Sequence, residues 1–167
     1  MSGCVRAFLT LGFGVMAIAA AATIEPSVAF TDATLQAGLR FVHNNGGFGR
    51  KYLPETMGSG ALWFDADGDG WQDLLLLNSK NWPGHSGLRS PSALYRNTHD
   101  GKFLDLTRGS GMDVELYAIG AAAADYDNDG KVDVYITALG GNRLFRNLGG
   151  GRLLDVTSQA GVADGGF

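Results

Sequence analysis

The most constraining feature of this sequence is an internal repeat built around two clusters of aspartate. Residues 65–73 and 125–133 are identical at five of nine positions, including all four aspartates of each cluster. A second segment, residues 94–107, recurs as residues 144–157 with seven of fourteen positions identical. Self-similarity at a fixed spacing is typical of repeat architectures, in which each copy forms one supersecondary unit. We therefore expect at least two copies of one small unit.

A third, partial copy lies ahead of these two, because residues 30–39 align with residues 103–112 and 153–162. The first unit is longer than the second by ten residues, which fall within the polar stretch Ser79–Ser92. Its prolines and glycines predict a surface loop. Another insertion, around Phe41–Thr56, precedes the first aspartate cluster. Both insertions are expected to be variable surface parts of the repeat.

Each unit has the pattern of four short antiparallel strands. Continuous apolar runs after each aspartate cluster are typical of strands covered on both faces, and glycine-rich turns at Asp100–Gly101 and Gly149–Gly151 predict hairpins. No helical period competes outside the N-terminal segment. The predicted strands are Ala61–Phe64, Leu74–Leu77, Ala93–Arg96 and Lys102–Thr107, then Gly120–Ala124, Val134–Ala138, Leu144–Arg146 and Arg152–Thr157. The predicted fold is all-β, with the four-stranded antiparallel blades of a β-propeller.

Residues 1–22 have the layout of a secretory signal peptide, expected to be helical. Arg6 precedes the apolar run Ala7–Ala22, and Ala20–Ala22 offers a small-residue cleavage site. The run is shorter than the roughly 20 residues of a spanning helix, although an uncleaved membrane anchor is the alternative. Cleavage would remove Cys4, the only cysteine. We therefore expect a protein that is secreted, periplasmic or at the cell surface, stabilised by its core or by metal.

The composition excludes several classes of protein. A chain with 45% hydrophobic residues is too apolar to be intrinsically disordered, and its 26 glycines show no collagen period. The net charge of −4 argues against a nucleic-acid partner. Eight of the 17 acidic residues lie in the two clusters, so the rest of the chain is mildly basic. The acidic charge is concentrated where the repeat places its loops.

The aspartate clusters predict metal sites, because carboxylates packed into a tight loop repel one another. At 4–5 Å and an effective dielectric near 20, each pair costs roughly 3–4 kcal/mol. Oxygen-only ligands of flexible geometry favour Ca²⁺ over Mg²⁺. Solvated turns are the alternative, but the two clusters share one spacing at equivalent repeat positions. The predicted ligands of two Ca²⁺ ions are Asp65, Asp67, Asp69, the Trp71 carbonyl and Asp73, then Asp125, Asp127, Asp129, the Lys131 carbonyl and Asp133.

These motifs resemble those of a known family. The Asp-x-Asp-x-Asp-Gly-x-x-Asp loops and the Leu-Tyr/Phe-Arg-Asn strands are similar to the FG-GAP/VCBS repeats of integrin-α-type β-propellers. Residues 41–45 and 51–65 resemble the opening of the ASPIC/UnbV, or cartilage-acidic-protein-like, family. The resemblance implies exported, calcium-loaded propellers that act in adhesion or extracellular binding. A propeller usually needs 4–8 blades, so the chain is expected to be an N-terminal fragment.

Two functions from different classes follow from this pattern. The first, which the sequence favours, is a non-catalytic binding or scaffold module whose calcium is structural. Its expected partners are an extracellular protein or glycan and the remaining blades of a longer chain. The second is an exported propeller enzyme, such as a carbohydrate-active one, with chemistry at His43 and Glu55 or in the missing part. Trp63, Trp71, Trp82 and Tyr52 are candidates for an aromatic sugar-binding surface, and core packing or loop anchoring is the equal alternative for each. The expected divisions are residues 1–22 (signal peptide), 23–58 (N-terminal strand and inserted loop), 59–112 (first unit) and 113–167 (second unit and the start of another).

Overall fold

The computed structural model describes residues 28–164, so the predicted signal peptide and the last three residues lie outside the described residues. Its regular elements are eight strands, one short helix (α1, Leu53–Met57) and one kinked turn (α2, Thr107–Ser110) whose Arg108 and Gly109 have non-helical backbone angles. The elements are α1 (Leu53–Met57), β1 (Ala61–Phe64), β2 (Asp73–Leu76), β3 (Ala93–Asn97), β4 (Phe103–Asp105), α2 (Thr107–Ser110), β5 (Tyr117–Ala124), β6 (Asp133–Leu139), β7 (Arg143–Gly149) and β8 (Arg152–Asp155).

The strands form two four-stranded antiparallel sheets in chain order. The first sheet has the order β1-β2-β3-β4 and the second has the order β5-β6-β7-β8. Every neighbouring pair is antiparallel. The predicted all-β fold with two four-stranded blades is therefore confirmed, since each repeat unit supplies one complete sheet.

The segment before the first sheet differs from its prediction. The described residues ahead of β1 contain no strand, so the predicted N-terminal strand is not formed there. The inserted loop instead contains α1, a single turn with Pro54 in its first turn, where a missing N–H is tolerated. Gly58, with φ 70°, ends it. Within residues 28–164 no helix combines the length and the apolar character needed to cross a membrane.

The main core lies between the two sheets. One face of the first sheet packs against one face of the second, and the aliphatic and aromatic side chains at this contact are almost completely buried. Fully burying one such side chain contributes about 1.5–3 kcal/mol. The largest contributors are Phe64, Leu75, Leu77 and Leu94 from the first sheet, and Val134, Ile136, Phe145 and Leu153 from the second.

The two ends of the sheets carry different loops. Each aspartate loop joins the end of the first strand of its sheet to the start of the second, as residues 65–72 join β1 to β2. The insertion Ser79–Ser92 follows the opposite end of β2, and the insertion Phe41–Thr56 leads to the start of β1. Because the strands are antiparallel, both insertions lie at the end remote from the aspartate loops.

Aromatic rings join the two insertions to each other. Phe48 stacks on His85 with ring centroids 4.0 Å apart, and Tyr52 lies 5.2 Å from Trp82. Trp82 also contacts Tyr117 of β5 edge to face at 5.6 Å. These contacts join the two insertions to each other and to β5.

Candidate metal centres

The first aspartate loop takes its shape from the carboxylate of Asp65, which directly follows β1. Its Oδ1 accepts hydrogen bonds from the N–H groups of Gly68 (2.8 Å) and Asp69 (3.1 Å), and its Oδ2 accepts one from the N–H of Gly70 (2.8 Å). Both glycines have positive φ, 85° and 86°, which a side chain would strain. One carboxylate therefore satisfies several N–H groups that a tight turn leaves without backbone partners.

The second loop repeats this arrangement. Asp125 accepts hydrogen bonds from the N–H of Asp129 through Oδ1 (3.1 Å) and from the N–H of Gly130 through Oδ2 (2.9 Å). Asn128 occupies the position of Gly68 with φ 58°, a conformation that asparagine tolerates better than most residues. The shared aspartate spacing thus specifies a shared backbone path.

The last aspartate of each loop is buried and accepts two backbone hydrogen bonds. Asp73 is 1% exposed; its Oδ2 accepts the N–H of Ala66 at 2.9 Å and its Oδ1 accepts the N–H of Asn97 at 2.7 Å. Asp133 is held in the same way, by two N–H groups at 3.0 and 2.7 Å. These carboxylates tie the aspartate loop to the third strand of its sheet.

Three carboxylates converge in each loop. In each set, one ligand oxygen of every residue lies within 4.8 Å of the other two. Oxygen ligands sit 2.3–2.6 Å from Ca²⁺, so two ligands of one ion are at most about 5 Å apart. The spacing therefore allows one ion to contact all three residues. These are the first acidic set, Asp65, Asp67 and Asp73, and the second acidic set, Asp125, Asp127 and Asp133.

The electrostatics of the first acidic set also fit a cation. Burial raises the pKa of Asp73, and the negative charges of Asp67 and Asp69 raise it further, against the lowering effect of its two hydrogen bonds. A carboxylate whose ionised form is disfavoured by burial and by neighbouring anions gains from a positive charge beside it. An all-oxygen donor set with this charge fits a hard divalent cation, which would neutralise the loop.

The aspartate at the fifth position of each loop is paired with a basic side chain instead of joining the converging set. Asp69 Oδ2 lies 2.8 Å from Nε2 of His99. The pKa of Asp69 is lowered, mainly by the hydrogen bond from the N–H of Trp71 and also by His99. Asp129 Oδ2 lies 3.1 Å from Lys131 Nζ, and this contact lowers its pKa. Both residues line the loops, and their role as ligands stays a prediction.

The seventh position carries different side chains in the two loops. Trp71 is half exposed and stacks on His99, with ring centroids 4.8 Å apart. Lys131 occupies the equivalent place and turns its ammonium group toward Asp129. The predicted ligand atoms here are the two backbone carbonyls, which stay predictions as well.

The proposed acid–base pair of the first insertion is not joined by a hydrogen bond. Nε2 of His43 accepts the N–H of Ser59 at 3.2 Å, and Oε2 of Glu55 accepts the N–H of Lys51 at 3.1 Å. Glu55 is 7% exposed. Both side chains therefore stabilise the backbone of the insertion, and no contact between them favours catalysis.

The predicted aromatic sugar-binding surface is not assembled either. Of its four rings, only those of Trp82 and Tyr52 are in contact, within the insertions. Trp63 contacts Phe103 of the first sheet, whereas Trp71 lies in the aspartate loop. Since the four rings are divided among the insertions, β1 and the aspartate loop, they do not present one surface.

The repeat places Arg96 and Arg146 at equivalent positions and predicts a structural ion pair or hydrogen bond for them, but the sequence identified neither the partners nor the contact of His99 with the first loop. Arg146 forms ion pairs with Asp127 (Nε to Oδ2, 2.7 Å) and Asp129 (Nη2 to Oδ2, 3.0 Å), and its pKa is raised by them. His99 comes from the β3–β4 hairpin of the first sheet. The repeat showed that Arg96 and Arg146 are equivalent, but only the antiparallel pairing of the third strand shows which loop such a side chain faces.

Two comparisons with known proteins bear on this chain. Residues 65–136, from the first aspartate loop into β6, match the family model of the FG-GAP-like repeat. A stretch of 74 residues is 39% identical to Cartilage acidic protein 1 of Xenopus tropicalis, covering 41% of this chain. The match spans 11% of that relative's length. Both findings support the repeat family that the sequence motifs resemble.

Proposed function

We propose that this chain is an exported calcium-binding repeat module that acts in extracellular binding or adhesion, or as a scaffold, without catalysis. The observation that carries the proposal is the convergence of three aspartates within 4.8 Å at the same place in both sheets. The chemistry that a bound Ca²⁺ supplies is charge neutralisation. The residues that would hold it are the two acidic sets, completed by Asp69 and the carbonyl of Trp71 in the first loop and by Asp129 and the carbonyl of Lys131 in the second.

The proposed role of the metal is structural, because the converging carboxylates are also the groups that organise the backbone. Asp65 gathers the N–H groups of its loop, and Asp73 connects that loop to β3. A cation among these oxygens would offset their mutual repulsion while leaving their hydrogen bonds in place. Metal binding to the folded loops alone would then add to the free energy of unfolding.

The extracellular setting is supported by similarity. The relative's name describes an acidic protein of cartilage, and the FG-GAP-like repeat match covers both aspartate loops and the strands between them. Extracellular modules bind Ca²⁺ with dissociation constants of about 10⁻⁴–10⁻³ M, which suits loops as exposed as these. The proposed localisation is therefore outside the cytosol.

The proposed binding surface is the end of the first sheet that carries the two insertions. Tyr52, Leu53 and Met57 are 46%, 70% and 58% exposed there. They lie in and beside α1, next to the aromatic contacts that join the two insertions. Binding residues are often found on loops that a rigid scaffold positions. The proposed partner is an extracellular protein or glycan, and a further unit of the same kind would cover the free face of the second sheet.

Thermal unfolding with and without calcium tests the proposed function. We expect Ca²⁺ at ten times its dissociation constant to add about 1.4 kcal/mol per site, which raises the midpoint by a few degrees. Asp67→Ala and Asp127→Ala should each remove part of this shift. The measurement is differential scanning calorimetry of the full chain in EGTA, in Ca²⁺ and in Mg²⁺, and Mg²⁺ should have the smaller effect.

Asp100→Ala is the matched control, because Asp100 lies in the exposed β3–β4 hairpin outside both acidic sets. It should keep the full calcium response. An unfolding midpoint that does not respond to Ca²⁺, with no heat of binding in a calorimetric titration of folded protein, would contradict the proposal.

A further inference from the structure

The two aspartate loops differ in the basic side chains that face them. In the second loop, Arg146 contacts both Asp127 and Asp129, and Lys131 contacts Asp129 as well. Four carboxylates there face two side chains that are positive at neutral pH. A bound cation would have to share Asp127, a member of the second acidic set, with the guanidinium of Arg146.

The first loop has the same aspartates with less compensating charge. Arg96 is the repeat equivalent of Arg146, and it lowers the pKa of Asp69 through its charge. Among the ion pairs of residues 28–164, however, none joins Arg96 to a loop aspartate. The position of Lys131 is held by the neutral Trp71, and His99 is the side chain that contacts Asp69. The first acidic set therefore keeps more of its negative charge.

We propose that Arg146 is a built-in counterion that lowers the affinity of the second loop for calcium, so that the first loop fills first. This inference rests on the proposed function. The number of uncompensated ligand charges tunes calcium affinity in oxygen-ligand loops. A guanidinium 2.7 Å from Asp127 supplies part of the neutralisation that the ion would supply, and it must move or lose that contact when the ion enters.

The difference between the loops also assigns them different tasks. The second loop has an internal positive charge that holds Asp127 and Asp129 together without metal, so its fold depends less on calcium. Among the ion pairs of the described residues none involves Asp67, so the first loop depends on the ion more. Calcium would then act mainly on the β1–β2 connection, which lies in the same sheet as the two insertions.

Calorimetric titration of the full chain with Ca²⁺ tests this inference through binding alone. We expect two steps in the wild-type protein, with Asp67→Ala removing the tighter step and Asp127→Ala removing the weaker one. Arg146→Met keeps the length and apolar stem of the side chain but removes its charge, and should tighten the weaker step by on the order of tenfold. Arg96→Met is the matched control in the first sheet and should change either step by less than about twofold.

Arg146→Lys separates charge from packing. It keeps the positive charge and should leave the weaker step near its wild-type affinity. If Arg146→Met does not fold, as judged by circular dichroism, the order of filling is still decided by Asp67→Ala and Asp127→Ala.

The outcomes separate this inference from the proposed function. Absence of any calcium binding overturns both. Two steps of equal affinity, loss of the tighter step in Asp127→Ala, or a second step unchanged in folded Arg146→Met overturns the role of Arg146 and leaves calcium binding standing.

Discussion

Asp133 shows how a single buried carboxylate organises a loop. It is 1% exposed, its Oδ2 accepts the N–H of Tyr126 at 3.0 Å and its Oδ1 accepts the N–H of Asn147 at 2.7 Å. Asn147 in turn donates its amide to the carbonyl of Val132 at 3.0 Å. A carboxylate serves here because both of its oxygens accept hydrogen bonds, one from the aspartate loop and one from β7.

Asp133→Asn should lower the free energy of unfolding by about 1–3 kcal/mol even without metal. The amide replaces one acceptor by a donor, so one buried N–H loses its partner. Urea unfolding in EGTA measures the loss, since the chelator removes any contribution of bound calcium. Asp100→Asn, at an exposed hairpin position, should stay within about 0.5 kcal/mol. Equal losses in the two variants would show that the paired backbone contacts of Asp133 contribute little.

At the scale of elements, one turn recurs three times along the chain. In each copy an aspartate Oδ1 accepts the N–H of a threonine two residues later: Asp32 to Thr34, Asp105 to Thr107, and Asp155 to Thr157. The first and last copies also share all three backbone hydrogen bonds that follow. The sequence match thus corresponds to one backbone conformation in the first and last copies, whereas the middle copy is kinked at Arg108 and Gly109. Only the second and third copies continue from a paired strand.

The glycine that ends this turn connects neighbouring units. Gly111 has φ 90°, and a Cβ there would lie 2.0 Å from the carbonyl oxygen of Leu153, at the start of the outer strand of the second sheet. Gly38 approaches the carbonyl of Phe103 in the same way, at 2.9 Å. The third glycine, Gly161 with φ 69°, has open space at this place. The turn of one unit therefore packs on the outer strand of the next.

Gly111→Ala should destabilise the chain by about 3 kcal/mol or more, because the new methyl group overlaps backbone and the positive φ adds strain. Gly161→Ala is the matched control, since it carries the strain of a positive φ alone, about 1–2 kcal/mol. Thermal and urea unfolding of both variants gives the comparison. A loss in Gly161→Ala as large as in Gly111→Ala would show that backbone strain, and not contact between units, decides the effect.

At the scale of the molecule, equivalent faces of the two sheets differ in whether another sheet packs on them. The face of the first sheet that packs on the second is made of large apolar residues. The positions 60 residues later form the outward face of the second sheet and are largely exposed or half-buried. The pairs are Leu62 and Ala122, Phe64 and Ala124, Leu75 and Tyr135, and Leu77 and Thr137. Equivalent positions of the two sheets thus differ in burial because only one of the two faces is covered within residues 28–164.

A charge placed on each of these faces distinguishes them. Leu77→Asp should cost about 3–5 kcal/mol or prevent folding, because Leu77 is 1% exposed in the core between the sheets. Thr137→Asp should change stability by less than about 0.5 kcal/mol, since Thr137 is exposed. Circular dichroism and urea unfolding are the measurements. A large loss in monomeric Thr137→Asp would mean that this face is covered within the chain itself.

The sequence determined the units and their strands because these depend on local patterns. The short segment that leads into the first aspartate cluster predicted β1 with the bounds that the structure shows. The spacing of the aspartates predicted that their carboxylates converge in each loop. Local periodicity suffices where neighbouring residues set the backbone path.

Only the tertiary structure decided the rest. β5 begins at Tyr117, three residues before its prediction; there the Tyr117 hydroxyl donates to the carbonyl of Asn45 at 2.6 Å, a contact between residues 72 positions apart. The pairing of Arg146 with Asp127 likewise needs the third strand to lie beside the loop. Such contacts join distant residues through strand order and packing, and a pattern confined to neighbouring positions carries no information about them.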